Sequence, residues 1–142
     1  MKLSIDSSSF AKRYIQEIGS DKLDDLLQHA SELAFCVIVV PEIISGLKRR
    51  LREHSLTDRD YREAKKQLLD DVRDATVLQL TPAVISRSVK LLEGNVLRTL
   101  DALHVACALE WKADLFVTSY RRQLDAATNF GLRTEYLGQP DA

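Results

Sequence analysis

The sequence predicts an α/β protein, a three-layer sandwich in which a parallel sheet of about five strands is covered by helices on both faces. Three observations lead there. Short apolar, β-branched stretches alternate with longer segments of helical periodicity along the whole chain. Residues 34–40 are apolar without interruption, as a strand buried on both faces is. No repeat, low-complexity tract or linker interrupts the alternation, so residues 1–142 are expected to form one domain.

Residues 2–5 form the first expected strand, ending at Asp6. Ser7, Ser8 and Ser9 can each cap a helix running to about Ile15. Gly19 and Ser20 break that helix, and a second is expected over 21–31, with Leu23, Leu26 and Leu27 on one face. The second strand, 34–40, stops at Pro41, which suits the first turn of a helix carrying Ile43, Ile44, Leu47 and Leu51 inward. Thr57 and Asp60 resemble an N-terminal capping pattern for a charged helix over 58–74. Strand 76–80 is followed by Thr81-Pro82, which opens a helix closed by Gly94. A mostly apolar helix spans 99–111. Strand 115–118, helix 121–130 and strand 133–137 complete the chain, with Gly131 between the last two.

Twenty basic and 21 acidic residues leave a net charge of −1, so contact with nucleic acid must use local basic patches rather than bulk charge. Cys36 and Cys107 lie in apolar runs outside any zinc spacing and are read as buried thiols. The opening MKLSIDSSSF is too polar for a signal peptide, and no apolar run approaches ~20 residues. The expectation is a cytoplasmic protein that does not enter a membrane.

In open parallel sheets, ligands collect beyond the carboxyl ends of the strands. Asp6 stands at such an end, although an Asp there can also serve as a helix cap. Glu42 follows the second strand in the first turn of a helix, where the dipole favours a carboxylate. It shares a face with Gly46 and Arg49. A glycine inside a helix costs about 0.5–1 kcal/mol relative to alanine, which suggests close approach by a backbone or a ligand. Asp101 lies on a helix apolar on two sides, where a carboxylate is costly unless paired or bound to a metal. His104, one turn on, is read as a hydrogen-bonded core residue. If the three acids converge, they repel, and Mg²⁺ or Mn²⁺ would relieve the repulsion. A metal-bound water attacks phosphodiesters, so the chemistry that fits is phosphodiester hydrolysis.

These residues carry a family resemblance. LSIDSSSFAKRY resembles the opening of PIN-domain proteins, with Asp6, Ser8, Lys12 and Tyr14 matching. VVPEIISGLKRR resembles their second motif through Glu42, Gly46 and Leu47. RTLDALHVACALEWKADLFVTSYRRQL resembles the third, Asp-Ala-Leu-His-x-Ala followed by a strand ending in Val-Thr. The match covers nearly the whole chain in order, and the length suits the VapC branch of toxin–antitoxin ribonucleases.

The resemblance implies a five-stranded parallel sandwich, a Mg²⁺- or Mn²⁺-dependent endoribonuclease acting on RNA, a VapB-like antitoxin partner and a homodimer. It makes Asp6, Glu42 and Asp101 the catalytic, metal-binding acids, with Ser8 in support. Many relatives carry a fourth acid after the Val-Thr strand. Here Tyr120 holds that slot, and a phenol of pKa about 10 is a poor Mg²⁺ ligand at neutral pH. Ser119 could still hold a metal-bound water. The alternative implied by Tyr120 is a weak or inactive domain that binds RNA or the antitoxin. Arg49 and Arg121 are candidate contacts to RNA phosphates. The sparse aromatic residues are not interleaved with basic ones, so no base-stacking platform is evident in the sequence. No glycine-rich phosphate loop occurs, and the acid patterns of haloacid-dehalogenase phosphatases and receiver domains are missing.

Overall fold

Five strands run parallel in the order β3-β2-β1-β4-β5 in the computed structural model, which describes residues 1–140. The elements are β1 (Lys2–Ile5), α1 (Ser7–Ala11), α2 (Ser20–His29), β2 (Glu32–Cys36), α3 (Val39–Arg52) and α4 (Asp58–Asp74). They continue as β3 (Thr76–Leu78), α5 (Pro82–Gly94), α6 (Thr99–Trp111), β4 (Leu115–Thr118), α7 (Arg121–Asn129) and β5 (Thr134–Tyr136). The expected fold class is therefore observed.

Alternation along the strands builds a separate core on each face of the sheet. Leu3, Ile5, Phe35, Leu115 and Val117 join Phe10, Leu23, Ile43, Leu47 and Leu68 from α1 to α4. Cys36 and Phe116 join Val84, Leu91, Val105 and Ala126 from α5 to α7. The two cysteines are buried free thiols of the same core. Among the described residues, no helix is long and apolar enough to cross a membrane.

The second strand differs from its expected bounds. It starts at Glu32 and ends at Cys36, Val37 and Ile38 form a turn, and Val39 already begins α3. Pro41 thus sits in the first turn, where its missing N–H goes unused. The apolar run hid the boundary because strand, turn and first helical turn all feed the two cores, Phe35, Val39 and Val40 on one face and Cys36, Val37 and Ile38 on the other. Likewise α1 ends at Ala11 rather than Ile15, and residues 12–14 continue as turns. Three further elements are shorter or shifted: α2 begins at Ser20 and ends at His29 rather than at residue 31, β3 ends at Leu78 rather than Leu80, and β5 covers Thr134–Tyr136 rather than 133–137. Thr57 and Asp60 form a full capping box, and the Thr81 hydroxyl accepts from the Val84 N–H at 3.2 Å. Gly131 takes a left-handed φ of +83° between α7 and β5.

The chain crosses from β1 to β2 on one side and, after β3, returns to β4 on the other side of β1. The carboxyl ends of β1 and β4 therefore flank the switch point of the sheet, where a crevice forms. Asp6 leaves β1 there, and Ser119 and Tyr120 leave β4 there.

Candidate active site

A cleft of about 560 Å³ opens at this switch point. Asp6, Ser7 and Ser8 from the start of α1 line it, with Glu42, Gly46, Arg49 and Arg50 of α3. Arg98, Leu100, Asp101 and His104 from around α6, and Tyr120, complete the lining. The three sequence-predicted acids, drawn from three distant segments, thus face one cavity.

Asp6 is only 1% exposed. Its Oδ1 accepts the Ser9 N–H at 3.0 Å and its Oδ2 accepts the Ser8 hydroxyl at 2.7 Å. It is therefore a helix cap as well as a cleft residue, and Ser8 supports it directly. Burial pushes its carboxyl above the usual range, against the pull of His104 and of its serine hydrogen bonds.

Glu42 Oε1 accepts the Ser7 hydroxyl at 2.6 Å and lies 2.6 Å from His104 Nε2. Burial alone would raise the Glu42 carboxyl, but those two bonds hold it below its ordinary value. For His104, burial favours the neutral ring, and the hydrogen bond to Glu42 with the charges of Asp6 and Glu42 outweighs it, so the pKa is raised. His104 is a hydrogen-bonded core residue, as expected, yet it also orients an acid of the cleft. Its Nδ1 is buried without a hydrogen-bond partner.

Asp101 sits in the first turn of α6, with Arg98 Nε at 3.5 Å. Its backbone is pinned from behind. The buried Gln123 amide donates to the Asp101 carbonyl at 3.1 Å and accepts the Thr118 hydroxyl at 2.6 Å. This ties α6 to β4 and α7. Ser119 exchanges a hydrogen bond with Ser9 at 2.7 Å, so it braces the start of α1. Tyr120 lines the cleft half-exposed. Burial and the nearby carboxylates of Asp6 and Asp101 raise its phenol, which stays protonated at neutral pH.

Of the two arginines singled out, Arg49 lines the cleft. Arg121 lies instead over the Tyr136 ring, 4.3 Å from its centroid. Gly46 borders open space, with nothing within 4 Å of where a Cβ would stand, so no backbone packs against it. The roles of Ser7 beside Glu42 and of Gln123 behind Asp101 escaped the sequence reading, because one partner lies far away in the chain and the other is a backbone carbonyl.

Among the described residues, no three His, Cys, Asp or Glu side chains gather closely enough to hold a metal ion as a group. The donor set still suits a hard dication. It offers carboxylate oxygens, and one of them, on Asp6, is buried at an electrostatic cost that a cation would offset.

The PIN domain family model matches residues 4–128. The chain is 28% identical over 104 residues to Ribonuclease VapC45 of Mycobacterium tuberculosis, covering 73% of this chain and 72% of the relative. Its fold resembles that of VapBC2 from Rickettsia felis, solved bound to a promoter DNA fragment, with a TM-score of 0.67, 15% identity, and coverage of 96% and 98% of the two chains. It also resembles VapC20 of Mycobacterium tuberculosis, described as a sarcin-ricin loop cleaving toxin, with a TM-score of 0.61, 15% identity, and coverage of 80% and 86%. With the acids of all three sequence motifs on one cleft at the switch point of a five-stranded parallel sheet, the chain belongs to the PIN-domain family.

Proposed function

We propose that the protein is a metal-dependent endoribonuclease, the toxin of a VapBC-type pair, working in the cytoplasm. The observation that carries this is the convergence of Asp6, Glu42 and Asp101 on one cleft. The similarity to VapC45 supports ribonuclease activity, and the likeness to toxin–antitoxin complexes supports a VapB-like antitoxin partner. Asp6, Glu42 and Asp101 would hold Mg²⁺ or Mn²⁺. Mg²⁺ commonly keeps several waters and takes one or two carboxylates, so it does not need a closed cluster of three. When bound, the ion would supply an activated water and neutralise charge on the phosphate.

The chain's own residues do the positioning. Ser8 and the Ser9 N–H fix the Asp6 carboxylate, Ser7 and His104 fix Glu42, and Gln123 fixes the Asp101 backbone. Arg49 offers a phosphate contact at the rim. Ile85 and Val89, one turn apart on α5, and Val96 beyond it are exposed apolar side chains, which supports a homodimer.

The test is incubation of the purified protein with a panel of structured RNAs. Cleavage should require Mg²⁺ or Mn²⁺ and stop with EDTA. A second reading, binding of RNA or antitoxin without turnover, is favoured by Tyr120 in the cleft. It predicts no cleavage with any metal, and a gain of cleavage in Tyr120→Asp.

A further inference from the structure

The lining of the cleft combines two kinds of chemistry. Asp6, Ser7, Ser8 and Glu42 supply acids and hydroxyls, together with the cations Arg49 and Arg50. Tyr120, Leu100 and Arg98 line the same cleft with Asp101. Tyr120 is 44% exposed and Leu100 48%, so a flat ring and a large aliphatic side chain face water next to carboxylates. The Arg98 side chain is 76% exposed and lines the same cleft.

Tyr120 precedes α7 as its N-cap without capping it through its side chain. Its backbone is nevertheless fixed, since its N–H donates to the buried Thr118 hydroxyl at 3.1 Å. A half-exposed ring on a fixed backbone, in a cleft that also holds a guanidinium, is the equipment with which proteins receive unstacked bases.

We propose that Tyr120, flanked by Leu100 and Arg98, is a platform on which one unpaired base of a single-stranded RNA stacks beside the acid centre. This deepens the nuclease reading and rests on it for the class of ligand. It assigns a role to the tyrosine that stands where the family resemblance expects an acid. It also selects among RNAs. In a duplex each base is already stacked between its neighbours, so none is free to lie on Tyr120, whereas loops and single strands supply one. Because every base has a π face, the platform fixes strandedness and register more than sequence.

The test uses single-stranded RNA hexamers carrying 2-aminopurine at successive positions. Binding is read by fluorescence in EDTA and with Ca²⁺, separately from cleavage with Mg²⁺ or Mn²⁺. One position should be quenched on binding. Tyr120→Ala should weaken binding about 5- to 150-fold, the range for loss of one base–aromatic stack. Tyr120→Phe should bind within about threefold of the parent. The alanine penalty should vanish on a hexamer that is abasic at the quenched position, and should be absent for duplex RNA.

The proposal is overturned if Tyr120→Ala binds as tightly as the parent, if its penalty persists on the abasic hexamer, or if no hexamer binds. Cleavage that is indifferent to Tyr120 removes the platform and leaves the nuclease reading standing. Tyr120-dependent binding with no cleavage does the reverse.

Discussion

His104 Nε2 lies 2.6 Å from Glu42 Oε1, joining residues 62 apart in the chain and fastening α3 to α6 across the cleft. The ring is 3% exposed. The pair is thus part of the fold and part of the site, and its two groups titrate in opposite directions from their ordinary values.

That pair predicts a pH window of stability in metal-free protein. His104 is raised above 6.5, so its contribution is full below 6.5 and is lost as pH rises through its folded value. Glu42 is lowered below 4.5, so its contribution is present above 4.5 and is lost as pH falls through its folded value. Both hold between 4.5 and 6.5. His104→Gln should therefore cost most in that window, about 1–3 kcal/mol for a hydrogen bond to a charged group, and less at alkaline pH. Urea denaturation in EDTA across the pH range checks this. A cost that is flat with pH would show that the pair is not charged.

Asp6 carries a different penalty. Its carboxyl is raised by burial, so the ionised form strains the metal-free fold at neutral pH. Asn caps a helix about as well as Asp. Asp6→Asn should therefore raise the melting temperature in EDTA by a few degrees, since about 1 kcal/mol corresponds to roughly 2–4 °C in a domain of this size. Added Mn²⁺ should stabilise the parent and not the variant. Equal stabilisation of both would place the ion elsewhere.

Much of this centre is legible in the sequence, for specific reasons. Asp6 ends an apolar strand, Glu42 opens a helix after another, and Asp101 stands on a helix otherwise committed to burial. Each is a local signal. The partners are not local. Ser7 and His104 meet Glu42 only through the order of strands in the sheet, and Gln123 reaches a backbone carbonyl that no side-chain pattern reveals. That Tyr120 shares the cleft with Leu100 and Arg98 is not legible in the sequence, because those residues come from about 20 positions upstream. The end of β2 was hidden for another reason. Val37, Ile38 and Val39 continue the apolar run through a turn and into α3, leaving no polar residue to mark the change.

Gly46 shows the same limit from the opposite side. Its presence in a helix suggested a close neighbour, and the structure leaves open space there, on the cleft wall. Gly46→Ala should therefore stabilise the protein by about 0.5–1 kcal/mol through helix propensity. If RNA approaches this surface closely, the same variant should raise KM severalfold. Chemical denaturation and steady-state cleavage kinetics separate the two effects. Loss of stability would mean that the helix cannot accept a methyl group at this position.

The central claim is that Asp6, Glu42 and Asp101 act together as one metal-dependent phosphodiester-cleaving centre. Single-turnover cleavage of a susceptible RNA in Mn²⁺ tests it most directly, comparing the parent with Asp6→Asn, Glu42→Gln and Asp101→Asn. Circular dichroism confirms that each variant is folded. Each amide should lower the rate at least about 100-fold, beyond the usual loss for an outer-shell partner of a metal site, and EDTA should abolish cleavage by the parent. Parent-like cleavage by any of the three variants, or cleavage that survives EDTA, would contradict the claim.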